Sequence, residues 1–136
     1  MLFESFDLGG IRLSSRTVMA PMTRSRATHN NTPDALIAEY YKQRATAGLI
    51  VTEGTSSSPN GLGYARIPGI YNEEQVLGWR LVTDAVHQAG GKIFVQLMHT
   101  GRVSHQNNLP AGARVVGPSP EVCPGEMWTD KAGLKP

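Results

Sequence analysis

The stretch Val18-Met19-Ala20-Pro21-Met22-Thr23-Arg24 decides how this chain is read. Val18 to Met22 is an apolar run, long enough for a buried strand and too short for a helix. Pro21 has no backbone N–H to give a central ladder, so the strand is expected to end there. Thr23 then stands at the C-terminal tip of that strand, with a hydroxyl that can donate or accept. In folds of parallel strands and helices, ligands bind at the C-terminal tips of the strands. Two further tips in the chain carry polar groups of the same kind.

The second follows a helix. Thr32-Pro33-Asp34 reads as a helix start, with Thr32 as N-cap, Pro33 at the first helical position and an acid in the first turn. Leu36, Ile37, Tyr40, Tyr41 and Ala45 fall on one helical face, and Gly48 is the expected stop. Leu49 to Glu53 then reads as a strand tipped by Glu53-Gly54-Thr55. A long Gly/Ser loop follows. Gly61-Leu62-Gly63 within it is not a phosphate loop, because Arg66 occupies the third glycine position and no helix begins there.

The third tip follows a second helix. Asn72 with Gln75 three residues on is a capping-box pattern. The stripe Leu77, Leu81, Val82, Ala85, Val86 and Ala89 runs to a Gly90-Gly91 stop, with His87 near the helix end as a structural or solvated residue. Lys92 to Leu97 is the third strand, bringing Gln96 and then Met98 and His99 to the rim. Upstream of all three, Phe6 to Leu8 and Ile11 to Leu13 flank Gly9-Gly10, a hairpin signal. Residues 106–136 are rich in Pro and Gly and read as a long loop, with one small hairpin formed by Met127–Thr129 and Leu134-Lys135.

Strand and helix alternate, which calls for a parallel sheet with right-handed crossovers. A doubly wound nucleotide fold would need a glycine-rich turn after the first strand, where this chain has Pro21-Met22-Thr23. A (β/α)8 barrel fits better. Eight strands and about 250 residues are needed to close one, so three strands and two helices are expected to be its N-terminal part: a hairpin in 1–17, the three strands in 18–105, and a long loop in 106–136. The complementing C-terminal part would come from a second chain or from residues outside this sequence.

Composition narrows the functions. With 40% apolar and 18% charged residues, the 136-residue chain has a globular composition. A net charge of +2 gives no case for nucleic acid or an anionic membrane surface. Arg24 and Arg26 are the nearest approach to a basic cluster and are expected in a solvated loop. No run approaches the ~20 apolar residues of a membrane span, and the acidic N-terminus lacks a leader's basic start; a cytoplasmic location is expected. Cys123 is the only cysteine, which leaves no disulfide framework. His99 and His105 have no metal-ligand spacing and no nearby carboxylate, so no metal is expected. The polar set Thr23, Gly54 and Gln96 suits the edge of a flat heteroaromatic ring such as isoalloxazine. Gln offers a donor and an acceptor, Gly allows close approach, and Pro21 and Met22 give an apolar floor.

The motifs SRTVMAPMTRSRA (15–27), LIVTEGTSSSPNGLGY (49–64), PGIYN (68–72) and QLMHTGRVSH (96–105) occur in the order and spacing of a known family. With them the chain, to about Pro120, resembles the N-terminal third of the Old Yellow Enzyme family of FMN-dependent ene-reductases, especially its N-ethylmaleimide/xenobiotic reductase branch. The resemblance implies FMN as cofactor and NAD(P)H as reductant. The implied substrates are activated alkenes such as α,β-unsaturated carbonyls and maleimides, with nitro compounds or nitrate esters as an extension. It implies that Pro21 and Met22 line the flavin, that Thr23 bonds the C4 carbonyl region and tunes the redox potential, that Gly54 lies against the ring, and that Gln96 binds the pyrimidine edge. Tyr64 and Met98 would border the substrate pocket, with Met98 departing from the family's usual Trp. The family's substrate-anchoring His pair, proton-donating Tyr, phosphate site and flavin-facing Arg lie on later strands, so the isolated chain is expected to be inactive. A self-associating non-catalytic fragment and a related flavin barrel such as a dienoyl-CoA reductase are the alternatives.

Overall fold

A computed structural model describes all residues 1–136. The elements run β1 (Phe6–Leu8), β2 (Ile11–Leu13), β3 (Val18–Met19), α1 (Ala35–Lys42), β4 (Leu49–Ser56), α2 (Glu73–Gln88), β5 (Ile93–Met98), β6 (Met127–Thr129) and β7 (Gly133–Lys135). β1 and β2 form the N-terminal hairpin, closed by Gly9 and Gly10, both at positive φ (57° and 92°). Two such residues give the twist that a two-residue hairpin loop requires. β3, β4 and β5 make one parallel sheet in that order. With both helices as crossovers, this is the N-terminal portion of a (β/α)8 barrel.

The core lies between the helices and one face of the sheet. Ile37, Ala38, Tyr41, Ala45, Trp79, Val82 and Val86 meet Ile50 and Ile93 there, with Met19 packed at the margin. Ile37, Ile50, Val82 and Val86 have no exposed surface, and each such side chain contributes about 1.5–3 kcal/mol. A second cluster, Leu62, Ile67, Leu109 and Ala113, sits under the loops at the strand tips. No helix is long and apolar enough to cross a membrane.

Local details differ from the sequence expectations. Asp34, rather than Thr32, caps α1: its carboxylate accepts the Ile37 amide at 3.1 Å. The Thr32 hydroxyl is turned to Glu74 at the start of α2, so the helix begins two residues later. It also ends at Lys42, and Gly48 is no helix cap. Gly48 is buried, and a Cβ there would strike the Ser15 carbonyl; a glycine is required because two backbones touch.

In α2, Asn72 caps as expected, accepting the Gln75 amide at 2.9 Å. The Gln75 side chain accepts from Tyr71 N, one residue before the cap. The buried face is Gln75, Trp79, Val82 and Val86, whereas Leu77 and Leu81 are exposed. Leu36 on α1 is exposed in the same way. β3 ends at Met19, two residues before Pro21, and β4 continues past Glu53 to Ser56. Residues 106–136 hold, besides loop, a 3₁₀ turn at Gln106–Asn108 and the antiparallel hairpin β6–β7. Arg66 and Asp130, 2.8 Å apart, tie that hairpin to the loop after β4.

Candidate functional site

The geometry of the tips starts from one irregularity. β4 and β5 pair as Ile50↔Ile93 and Val51↔Phe94, then as Gly54↔Gln96, so β4 carries one residue more than its partner between Val51 and Gly54. Such a bulge reverses which face the following side chains take. Ile50 faces the helices. Strict alternation would send Thr52 there next; with the extra residue it is Glu53 that meets Tyr41 of α1. Gly54 is turned to the opposite face with its register partner Gln96 and with Met98. The Thr52 hydroxyl fills the gap in the ladder, accepting the Gln96 amide at 3.0 Å and donating to the Glu53 carbonyl at 2.9 Å.

Gly54, Gln96 and Met98 therefore share one face. The Met98 side chain lies over Gly54: a Cβ there would meet its sulfur at 2.5 Å and its methyl at 2.7 Å. Met98 also packs on the tip cluster, as does Tyr64, which makes the two pocket candidates members of one apolar group. The Gln96 side chain is exposed, and its carboxamide, unlike its backbone N–H, makes no hydrogen bond within the chain. Thr23 is likewise exposed, with a hydroxyl that has no partner in the chain. Pro21 is exposed, and half-exposed Met22 lines a groove along the unpaired edge of β3 with Met19, Tyr40 and Arg44. His99 and His105 each use Nδ1 to accept a backbone amide two residues ahead. Cys123 is exposed in the Pro/Gly-rich loop.

The residues that sequence reasoning passed over lie just beneath this rim. Arg24 is not solvated: only 15% of its side chain is exposed, and its guanidinium donates to Glu53 Oε1 at 2.8 Å. Glu53 is fully buried. Tyr41 closes the cluster twice, donating its hydroxyl to Glu53 Oε1 at 3.1 Å and accepting the Glu53 amide at 2.8 Å. The Arg24 guanidinium carbon lies 3.4 Å from the Tyr40 ring centroid, and that of Arg44 lies 3.7 Å from it. Two guanidinium groups that close to one centroid must take opposite faces of the ring. Burial, and then the Glu53 carboxylate, push the Tyr41 hydroxyl well above the ordinary tyrosine range. The signal available in sequence was Glu53 itself, an acid inside a strand that otherwise reads as apolar; a buried carboxylate must find a cation or donors.

The arrangement offers a face on which Met98 covers Gly54, with the free Gln96 side chain on β5 and, across the Arg24–Glu53 link, the free Thr23 hydroxyl on the segment that follows β3. Such a set can take a flat ligand that presents hydrogen-bonding groups at its edge.

Known proteins are similar to this chain in sequence and in fold. The chain is 50% identical over 113 residues to 12-oxophytodienoate reductase 7 of Oryza sativa subsp. japonica, covering 82% of this chain and 28% of that protein. It is 45% identical over 119 residues to a probable flavin mononucleotide-dependent alkene reductase of Leishmania infantum, covering 88% and 33%. Among solved structures, an old yellow enzyme homologue from Zymomonas mobilis superposes with a TM-score of 0.92 at 45% identity, over 99% of this chain and 37% of that one. Morphinone reductase gives 0.90 at 43%, over 99% and 37%. The chain thus spans about a third of the length of these relatives. The model of the NADH:flavin oxidoreductase / NADH oxidase family matches residues 1–131. With the motifs, the parallel sheet and this match in agreement, the chain belongs to the NADH:flavin oxidoreductase / NADH oxidase family, the FMN-dependent Old Yellow Enzyme group.

Proposed function

We propose that this chain supplies the first three strands, and part of the flavin site, of an NAD(P)H-dependent ene-reductase acting on activated alkenes such as α,β-unsaturated carbonyls and maleimides, with nitro compounds or nitrate esters as secondary acceptors. The observation that carries this is the pair of exposed polar side chains without partners in the chain, Thr23 after β3 and Gln96 beside Gly54 and Met98 on β5, in a family whose cofactor is FMN. When bound, FMN supplies the two-electron chemistry that joins NAD(P)H oxidation to alkene reduction. The chain's own residues do the holding. Gln96 offers a donor and an acceptor to the pyrimidine edge, and Thr23 offers a donor near the C4 carbonyl. Gly54 lets Met98 lie close to the sheet on this face, so the ring would rest against the Gly54–Met98 pair, and Pro21 and Met22 contribute apolar surface beside it. Tyr64 and Met98 border the space for the substrate.

The residues that anchor the substrate, donate the proton and hold the phosphate belong, on this proposal, to the complementing remainder of the barrel. β5 is shaped for such a neighbour: Phe94, Val95 and Leu97 are 47%, 40% and 61% exposed on its two faces. A strand exposed on both faces and along one edge pairs readily. The test is reconstitution. Mixing or co-expressing the chain with the remaining strands in the presence of FMN should give a yellow complex that oxidises NADPH when cyclohexenone is added. A colourless, inactive assembly would sink the proposal.

The same exposed strand favours a second reading, in which two copies of the chain pair through β5 and no catalysis follows. Size-exclusion chromatography separates the two: self-association predicts a dimer or larger species that persists after the remaining strands are added.

A further inference from the structure

The backbone that carries Thr23 has little to hold it. β3 ends at Met19, and none of the backbone–backbone hydrogen bonds outside the helices and strands involves residues 20 to 26. Two residues past Thr23, Ser25 stands at a φ of 57°, in the left-handed region that a serine rarely adopts. A segment without a ladder keeps such a bend only when its surroundings hold it. Within the segment the Arg26 guanidinium donates to the Arg24 and Ser25 carbonyls, both at 3.2 Å; the hydrogen-bonded tie from the segment to the neighbouring strand is the side chain next to Thr23. Arg24 is clamped by Glu53 through its terminal nitrogen and by the face of Tyr40. Glu53 is held in turn by Tyr41, which bonds its carboxylate and its amide at once. The other carboxylate oxygen of Glu53 and Nε of Arg24 are buried without partners, so the pair depends on a single charge-assisted hydrogen bond whose geometry Tyr41 sets.

We propose that Glu53 and Tyr41 position Thr23, acting through the Arg24 guanidinium, and thereby set the redox potential of the bound flavin although neither touches it. A threonine hydroxyl tunes a bound ring only while its distance and direction stay constant. Arg24 has one covalent neighbour on the rim side, Thr23, and one buried ionic partner, Glu53 of the adjoining strand. Displacing the partner therefore moves the hydroxyl. The inference rests on the proposal above that Thr23 faces the flavin.

The experiment is a midpoint-potential titration of bound FMN in the complete flavin-loaded protein, comparing wild type with Thr23→Ala, Glu53→Gln, Tyr41→Phe and the double variant Thr23→Ala/Glu53→Gln. Glu53→Gln and Thr23→Ala should shift the potential in the same direction, and the double variant should shift it no further than Thr23→Ala alone. Tyr41→Phe keeps the packed ring, removes only the hydroxyl, and should give a smaller shift of the same sign; it stands in should Glu53→Gln fail to fold. A potential that moves in Thr23→Ala and stays put in the folded Glu53 or Tyr41 variant overturns the positioning role, as do shifts that simply add. A potential unmoved by Thr23→Ala overturns the placement of Thr23 at the flavin, and the inference falls with it.

Discussion

The sulfur of Met98 stands 2.5 Å from the point that a Cβ on Gly54 would occupy. The contact joins two adjacent strands across the bulge in β4, and it makes the size of residue 54 and the position of residue 98 a single variable. Gly54→Ala should push the Met98 thioether off this face and destabilise the fold by about 1–3 kcal/mol. The Met98 Cβ would remain 3.2 Å from the added methyl, so rotation of the flexible end gives only part of the relief. Gly54→Ala/Met98→Ala should cost less than the sum of the single substitutions. Urea denaturation of the three variants reads this; strict additivity would show that the pair is not coupled.

Breaking the buried ion pair should be costly in a way that a half-exposed pair is not. Glu53→Ala strands the Arg24 charge in a site where only 15% of that side chain is exposed, at about 3–5 kcal/mol. Replacing both members with apolar residues of similar volume should recover most of that. Asp130→Asn removes a contact to Arg66 in which both side chains are 38% exposed, and should cost no more than about 1 kcal/mol. Equal losses in the two experiments would contradict the burial difference.

Tyr41 should leave a signature in alkali. Its folded-state pKa is raised above the ordinary value of 10.0 by burial and by Glu53, so the unfolded chain releases this proton first as pH rises. Stability from Tyr41 is therefore fully present below about pH 10 and declines above it. Thermal unfolding followed between pH 8 and pH 11 should show a steeper alkaline fall in wild type than in Tyr41→Phe, which has no proton to lose. These limits bracket tyrosine's ordinary range of about 10. Parallel curves would mean that the hydroxyl is not held as described.

Gly48→Ala should prevent folding or cost several kcal/mol, because the new methyl meets the Ser15 backbone carbonyl and not a mobile side chain. Circular dichroism melting reads the loss. A wild-type melting temperature would show that the Ser15 turn can move aside.

The apolar surface of β5 separates folding from completion. Leu97 is 61% exposed, so Leu97→Asp should leave the melting temperature of the chain nearly unchanged and abolish capture of the remaining barrel strands. Capture at wild-type affinity would argue that the remainder docks elsewhere.

Much of this molecule was legible from local chemistry. The Gly9-Gly10 turn, the Asn72 cap, the three strand positions and the β6–β7 hairpin all rest on neighbours a few residues apart. They follow from dihedral preference, capping and apolar period, which a chain carries in any context. Four motifs in order were enough to reach the family, because they mark the rim where strands end.

What folding added concerns residues distant in sequence. Arg24 and Glu53 are 29 positions apart; as separate residues they look like a solvated cation and a strand-tip acid. The bulge in β4 is what turns Glu53 toward Tyr41 and Gly54 away from it, and no local propensity announces an extra residue in a ladder. Helix faces show the same division. A period of 3.6 states that a stripe exists, but packing chose Trp79 over Leu77 and Leu81, because the buried side is set by where the sheet lies. Backbone preferences and spacing are properties of the strand of amino acids; burial, pairing and the fate of a charge depend on which surfaces the finished fold presses together.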